Sequence, residues 1–179
     1  MTLRKLTHDE VAGQRLSKEV LEESERFPIY AMLDNIRSLY NVGSMFRTSD
    51  GALVRKLYLS GYTPHPPRKE IEKTALGATH TVPWEYHGAP EECISAIRRH
   101  GAKICVLEHT TASIPYHQIT KNDFPVCLVV GNEITGVSSS VIATADCAIE
   151  IPMYGAKQSL NAAVAYGIAV FELVKIWKA

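Results

Sequence analysis

The 179-residue sequence has no excess of charge of either sign. It contains 19 lysine and arginine residues and 19 aspartate and glutamate residues, so its formal net charge is zero at neutral pH. This balance argues against a nucleic-acid binder that depends on overall charge, although a local basic patch would still attract RNA or DNA. Apolar residues make up 46% of the chain and charged residues 21%. These values are typical of one ordinary globular domain.

Long hydrophobic runs and paired cysteines are also missing. The longest apolar run, residues 162–171, is too short to span a bilayer, and no apolar stretch follows the N-terminus. No two of the four cysteines form a Cys-x-x-Cys pair, which disfavours a zinc ribbon or a thioredoxin motif. Each cysteine lies in or beside an apolar stretch, as a core residue does, so we expect a reducing, cytoplasmic compartment. Because no apolar run is long enough to span a bilayer, no membrane partner is expected.

Alternating strands and helices predict an α/β fold. Strands are predicted over residues 28–33, 56–60, 82–86, 103–107, 126–130 and 147–151. Helices are predicted over residues 41–53, 89–100 and 139–144, together with a short helix that ends at residue 76 and a last helix that begins near residue 159. The strands are rich in Val, Ile and Leu, which indicates a mostly parallel sheet with helices on both faces. Residues 9–26 predict one charged surface helix. We therefore interpret residues 1–27 as an N-terminal helical extension and residues 28–179 as the domain.

The first unusual segment, residues 34–48, follows the first predicted strand. Ligands bind beyond the carboxyl ends of strands in such sheets. Asn41 is predicted to be the N-cap of the next helix. Gly43 and Arg47 fall outside its apolar face, where a small residue beside one arginine lets a second backbone or a phosphate come close. A surface ion pair between Arg47 and Asp50 is an alternative that the spacing leaves open.

The second segment, Gly131 to Gly136, follows a buried strand. Two glycines at this spacing occur in phosphate-binding loops, but Val137 stands where such a loop needs lysine, which argues against an NTPase. The sequence has no Gly-x-Gly-x-x-Gly motif, so a dinucleotide site is not supported. A tight turn is the common alternative. The charged Glu133 directly after a buried strand indicates a functional role.

The third segment, Ile151 to Asn161, precedes the last predicted helix. Helix capping is the common use of residues such as Ser159 and Asn161. Asn161 is predicted to lie inside that helix, where asparagine is unfavourable unless its side chain has a partner. A role in a site is therefore the second interpretation.

In order and spacing, the three segments resemble the motifs of the TrmH (SpoU) family of RNA ribose methyltransferases, in the SPOUT superfamily. The resemblance covers about residues 28–175 and is carried by Asn41-Val42-Gly43 with Arg47-Thr48, by Gly131-Asn132-Glu133 with Gly136, and by Ile151-Pro152-Met153 with Gly155 and Ser159-Leu160-Asn161. It implies a deep C-terminal trefoil knot and a homodimer that packs through the first-motif helix and the last helix. It also implies methyl transfer from S-adenosylmethionine to a ribose 2′-hydroxyl of RNA. The compact chain favours tRNA as the first candidate substrate and rRNA as the second.

The resemblance implies roles for individual residues. Arg47 would activate the 2′-hydroxyl; because arginine is essentially never deprotonated, stabilising the developing alkoxide is preferred over accepting its proton. Asn41 and Glu133 would position Arg47 and the RNA, while Ser159 and Asn161 would shape the site. The cofactor is placed against six residues: Leu107, Val130, Gly131, Ile151, Ser159 and Leu160. No metal is expected, because a sulfonium already activates the methyl group.

Basic groups near the site are the candidates for RNA binding. They are Arg37, Arg68 and Lys69, with His65 as a weaker addition, and a solvated loop over residues 64–68 is the alternative. Many relatives carry an RNA-binding domain where this chain has about 27 residues by the strand prediction. Recognition is therefore expected from the catalytic domain, its N-terminal helix or a partner protein.

Two rival functions stay open at this point. One is a SPOUT enzyme that methylates a base, which the Asn-Val-Gly context of Arg47 disfavours. The other is a non-catalytic RNA-binding or ribosome-assembly factor, which the presence of Arg47, Glu133, Ser159 and Asn161 disfavours. A generic nucleotide-binding domain is disfavoured by the missing phosphate-loop lysine.

Overall fold

A parallel β-sheet of seven strands organises the computed structural model, which describes residues 3–179. The strands are β1 Phe27–Asp34, β2 Val54–Ser60, β3 Trp84–His87, β4 Lys103–Leu107, β5 Ile114–Pro115, β6 Val126–Val130 and β7 Cys147–Glu150. They lie in the order β3-β2-β1-β6-β4-β7-β5, and every adjacent pair is parallel. The predicted α/β class is confirmed, and each predicted strand is present. The two-residue β5 was not predicted.

Helices cover both faces of this sheet. They are α1 His8–Ala12, α2 Lys18–Glu23, α3 Leu39–Gly51, α4 Lys69–Ala75, α5 Pro90–Arg98, α6 Ser139–Ile142 and α7 Ala162–Lys178. Successive side chains of a strand point to opposite faces. In β1, Ile29 and Leu33 therefore pack in the core with residues of α3 and α7, whereas Tyr30 and Met32 pack with residues of α5 and α6. Across residues 3–179, every helix is too short or too polar to cross a membrane.

The single surface helix predicted over residues 9–26 is wrong. The segment forms two short helices, because α1 ends at Gly13 and α2 begins only after its own N-cap, Ser17. α1 is closed at its start by a capping box between Thr7 and Glu10, and it buries no residue. With no buried apolar face to extend it, the helix stops after five residues.

The predicted starts of two other helices are corrected. Asn41 is not the N-cap of α3: Ser38 holds that position, and its hydroxyl accepts a hydrogen bond from the Asn41 backbone N at 3.2 Å. α7 begins at Ala162 and not near residue 159, and Asn161 is its N-cap and not an interior residue. In both cases a side-chain oxygen satisfies backbone N–H groups that the first helical turn leaves unpaired.

Helix α3 lies side by side with α4 and α7. A Cβ at Gly43 would collide with the Thr74 hydroxyl and the Ile71 carbonyl oxygen, so the second backbone expected near Gly43 is that of α4. On the other side, the hydroxyl oxygens of Tyr166 and Ser49 are 2.7 Å apart. Burial raises the pKa of Tyr166, which keeps this hydroxyl protonated. The second contact places the last turn of α3 next to the first half of α7.

Candidate functional site

A cleft of about 830 Å³, including its open mouth, lies at the carboxyl edge of β4, β6 and β7. Its walls come from the ends of these strands, from the loop after β6 and from the segment before α7. All six residues predicted to hold the cofactor line it: Leu107, Val130, Gly131, Ile151, Ser159 and Leu160. The lining also includes three carboxylates, those of Glu108, Glu133 and Glu150. The cleft thus combines apolar walls with negatively charged groups.

The loop after β6 is a closed turn. Asn132 and Gly136 exchange two backbone hydrogen bonds of 3.0 Å, and Gly136 has a φ of +72°. A Cβ at Gly131 would collide with the backbone of Gly136 and Val137. The two glycines therefore serve turn closure, which is the alternative that their spacing also allowed. The turn holds Glu133 next to the loop that leads into α3.

The carboxylate of Glu133 joins the second segment to the first. It accepts hydrogen bonds from the backbone N of Arg37 at 2.9 Å, from the backbone N of Ser38 at 3.1 Å and from Asn41 Nδ2 at 2.8 Å. Burial by itself would raise the pKa of Glu133. These donors outweigh it and hold the pKa below its ordinary value. Glu133 is therefore an ionised anchor at neutral pH.

Asn41 also contacts the third segment. Its Oδ1 accepts a hydrogen bond of 3.2 Å from Asn161 Nδ2, while Asn161 Oδ1 accepts from the backbone N of Ala163 at 2.9 Å and of Val164 at 3.3 Å. Both polar atoms of the Asn161 side chain therefore have hydrogen-bond partners. We call Glu133, Asn41 and Asn161 the polar bridge. It brings together three of the predicted catalytic residues.

Arg47 stands apart from the polar bridge. It is exposed on α3, does not line the cleft, and makes no hydrogen bond or ion pair with any residue of the part described, 3–179. The alternative Arg47–Asp50 ion pair is wrong, because Asp50 instead accepts a hydrogen bond of 2.5 Å from Thr81 Oγ1. The guanidinium of Arg47 is therefore available to a ligand. The remaining predicted residue, Ser159, is exposed at the cleft.

The predicted RNA-binding residues are exposed, one on the loop before α3 and two at the start of α4. Arg37 precedes α3, and its backbone is held by Glu133. Arg68 and Lys69 lie at the start of α4. In the loop before them, His65 is half-buried and Pro66 is buried, so these two residues are packed and not simply solvated.

Sequence reasoning assigned no role to Asp34 and Asn132, which support the site. Asp34 is fully buried at the end of β1, and its Oδ2 accepts a hydrogen bond of 2.8 Å from the backbone N of Ser138. Asn132 Nδ2 donates to the carbonyl oxygen of Asn35 at 2.8 Å. Each holds the β6 loop against the β1 loop. A charged residue that ends a buried strand was the signal that singled out Glu133, and the same signal applies to Asp34.

Replacing Asn161 by alanine is expected to lower the free energy of unfolding by about 1 kcal/mol, because the N-cap of α7 is lost. Asn161→Asp keeps an acceptor for the first turn of α7 but cannot donate to Asn41 Oδ1. It should therefore keep wild-type stability and yet speed amide hydrogen exchange around residue 41. Urea denaturation and hydrogen exchange measure the two effects. Equal exchange in wild type and Asn161→Asp would contradict the contact between Asn161 and Asn41.

A parallel sheet with helices on both faces and a cleft at its carboxyl edge defines the chain as an α/β protein with a ligand site at that edge. More narrowly, the chain belongs to the SpoU rRNA Methylase family, whose profile matches residues 28–171. This finding confirms the predicted family.

Among its relatives, the tRNA (guanosine(18)-2'-O)-methyltransferase of Aquifex aeolicus is 32% identical over 156 residues, which cover 87% of this chain and 72% of that protein. The 23S rRNA (guanosine-2'-O-)-methyltransferase RlmB of Pseudomonas aeruginosa is 26% identical, over 93% of this chain and 66% of that protein. The AdoMet-bound rRNA methyltransferase from Sinorhizobium meliloti superposes with a TM-score of 0.78 at 29% identity, over 87% of this chain and 59% of that one. The chain therefore spans 59% to 72% of these proteins.

Proposed function

We propose that this chain transfers a methyl group from S-adenosylmethionine to a ribose 2′-hydroxyl of RNA. The observation that carries the proposal is the carboxyl-edge cleft with the polar bridge beside it, in a chain that belongs to the SpoU family. The relatives named above act on guanosines of tRNA and of 23S rRNA. We propose tRNA as the first candidate substrate and rRNA as the second.

The residues of the cleft fit S-adenosylmethionine. Leu107, Val130 and Ile151 offer apolar contacts to an adenine ring, and Glu108 and Glu150 offer acceptors to hydroxyl and ammonium groups. Hydrogen bonds to Glu150 from Ser113 and His109 lower its pKa, so it is ionised at neutral pH. When bound, S-adenosylmethionine supplies a methyl group attached to a positively charged sulfur. A cleft with negative groups suits that charge.

We assign the activation of the ribose hydroxyl to Arg47. A ribose hydroxyl is a weak nucleophile at neutral pH, so a fixed positive charge that stabilises its alkoxide favours the reaction. The proton leaves to a substrate phosphate or to solvent, because a guanidinium does not accept it. The polar bridge and Ser159 position the RNA and shape the cleft, and Arg37, Arg68 and Lys69 bind phosphates.

Labelled S-adenosylmethionine incubated with the protein and total unmodified RNA tests this function. The expected product after digestion is a 2′-O-methylated nucleoside, and the labelled RNA identifies the substrate. Label on a base instead would overturn the ribose assignment in favour of a base-methylating enzyme. No binding of S-adenosylmethionine and no label would overturn the proposal in favour of the non-catalytic RNA-binding factor.

We also propose that the C-terminal part of the chain is threaded into a trefoil knot. β7 lies between β4 and β5 in the sheet, and α7, which follows it, packs against β1, β6 and the turn Tyr116–Gln118. The ring centroids of Phe124 and Trp177 are 5.5 Å apart. These contacts support a path in which residues 151–161 pass through the loop that residues 108–125 form between β4 and β6.

An exposed apolar stripe on α7 supports a homodimer. Val164, Ile168 and Phe171 are 52%, 37% and 50% exposed, and their spacing places them on one helix face. The Phe171 ring lies 3.7 Å from the position of a Cβ at Gly51, so the stripe continues toward the Arg47 side of α3. A second copy that covers the stripe would place Arg47 at the border of the interface.

Domain limits and compartment follow as further proposals. We assign residues 28–179 to the methyltransferase domain and residues 1–27 to an extension, because the family profile begins at residue 28 and β1 begins at Phe27. We place the protein in the cytoplasm. Its four cysteines are free thiols, which supports a reducing compartment.

The variant Phe171→Asp is expected to weaken the homodimer about 100-fold, because a charge replaces an anchor of the apolar stripe. Sedimentation velocity over a concentration series measures the dissociation constant. Leu16→Asp is the matched control, since Leu16 is 54% exposed in the extension, outside the stripe. A monomeric wild type, or a Phe171→Asp variant that dimerises normally, would contradict this interface.

A further inference from the structure

Two exposed tyrosines and a half-buried histidine lie on neighbouring segments beside the candidate site. Tyr62 is 62% exposed and Tyr86 is 40% exposed. The ring centroid of His65 lies 4.5 Å from that of Tyr86. We call Tyr62, His65 and Tyr86 the aromatic patch. Single exposed aromatic residues are ordinary on a protein surface, but two exposed tyrosines on neighbouring segments, with a histidine ring packed against one of them, are typical of a binding surface.

Hydrogen bonds hold the rings of the patch by their edges. The Tyr62 hydroxyl accepts from Asn132 Nδ2 at 2.7 Å, and the Tyr86 hydroxyl donates to the carbonyl oxygen of Gly61 at 2.8 Å. The backbone N of Tyr62 donates to Asn35 Oδ1 at 3.2 Å. A ring that is fixed before binding loses little conformational entropy when a flat ligand stacks on it.

The loop that carries Tyr62 and His65 is anchored to the same segments as the polar bridge, while Tyr86 lies in β3. Thr63 is buried, and its hydroxyl donates to the carbonyl oxygen of Leu33 at 3.0 Å and accepts from the backbone N of Ile36 at 3.0 Å. Asn132, which holds Tyr62, directly precedes Glu133. The patch therefore keeps a fixed position relative to the site.

Two cationic residues follow Tyr62 and His65 along the chain. Arg68 and Lys69 are exposed and form no ion pair with any residue between 3 and 179. Glu70 is the only acidic residue within 61–70. Rings that stack on bases, next to cations that bind phosphates, are the chemistry that recognises single-stranded RNA.

We propose that an unpaired nucleotide of the RNA substrate, close to the one that is methylated, stacks its base on the aromatic patch. Arg68 and Lys69 bind the phosphates of the same strand. This inference rests on the proposed function and adds the form of its substrate. Because every base has a flat face, stacking selects an unpaired strand without selecting one base.

RNA affinity and cross-linking test the patch on the full chain. The probe is a single-stranded RNA of randomised sequence in which thiouridine replaces uridine. Ultraviolet cross-links are expected at Tyr62, His65 or Tyr86. Tyr62→Leu and Tyr86→Leu should each weaken RNA binding about tenfold. Tyr62→Phe keeps the stacking face and loses only the hydroxyl contact that fixes the ring, so it should weaken binding by about twofold at most. The affinity for S-adenosylmethionine should stay unchanged in every variant, which reports an intact fold.

The control is His80→Leu, because His80 is an exposed ring residue outside the patch. Wild-type RNA affinity in both leucine variants, or cross-links confined to other surfaces, would overturn the patch and leave the proposed function standing. An equal loss in Tyr62→Phe and Tyr62→Leu would also overturn it, because the hydroxyl and not the ring would then matter. A wild type that neither binds nor methylates RNA would overturn the proposed function as well.

Discussion

Replacing Arg47 by alanine is expected to lower the rate of methyl transfer by about 100- to 1,000-fold while leaving the affinity for S-adenosylmethionine unchanged. The reason is its position. Arg47 is exposed and does not line the cleft, so cofactor binding does not depend on it. In the proposed reaction, its positive charge acts only when a ribose hydroxyl begins to lose its proton. Single-turnover kinetics with saturating RNA, together with calorimetric titration of the cofactor, separate the two effects.

Two further variants test whether the loss of rate is due to the positive charge at position 47. Arg47→Lys keeps the charge but replaces a planar fork by a point charge, so it should recover part of the lost rate. Arg99→Ala is the matched control, because Arg99 is an exposed arginine at the end of α5 without an ion pair in residues 3–179. If Arg47→Ala retained the wild-type rate, or lost cofactor affinity in proportion to rate, the assignment of Arg47 would be wrong.

Replacing Glu133 by glutamine is expected to lower methyl transfer by about 100-fold and to raise the KM for RNA. The carboxylate accepts three hydrogen bonds from Arg37, Ser38 and Asn41. A glutamine side chain has one acceptor oxygen and turns donors of its own toward these donors. The loop with Arg37 would then lose its anchor, and Asn41 would lose one of its two bridging contacts. Steady-state kinetics over a range of RNA concentrations give both constants.

The low pKa of Glu133 predicts that the stability lost in Glu133→Gln depends on pH, which shows whether the lost charge is the cause. Because its pKa is lower in the folded protein than the ordinary 4.5, its ionised form stabilises the fold. That contribution is fully present above the unfolded pKa and is lost as the pH falls through the folded pKa. The stability difference between wild type and Glu133→Gln should therefore be constant near neutral pH and shrink on acidification below about pH 5.

Urea denaturation at several pH values measures this difference. Glu25→Gln is the control, because the Glu25 side chain is 90% exposed and, among residues 3–179, is paired with Arg55 alone. A difference between wild type and Glu133→Gln that grows on acidification would contradict the anchoring role of Glu133. So would a Glu133→Gln variant with wild-type kinetics.

Most of the strands were predictable because they are short, largely buried runs of apolar residues between turn signals. Runs such as Lys103–Leu107 and Val126–Val130 carry that signal entirely within themselves. β5 was not predictable, since two residues between polar stretches have no periodicity and become a strand only by pairing with β7. The predicted starts of α3 and α7 were wrong for a related reason. Several polar residues near the start of α3 and α7 could serve as N-cap, and the packing of the helices selects Ser38 and Asn161.

The sequence by itself determined the α/β class, through its alternating strands and helices, and the family, through the order of the three motifs. The motifs also supplied the candidate catalytic and cofactor residues. Only the tertiary structure decided which of them meet. Asn41 and Glu133 are 92 positions apart, yet they are hydrogen-bonded because parallel pairing of β1 with β6 brings the carboxyl ends of both strands to one edge. Arg47 lies on the same helix as Asn41 and makes no such contact. Helical geometry turns it toward a different face, so that proximity in sequence does not become proximity in the site.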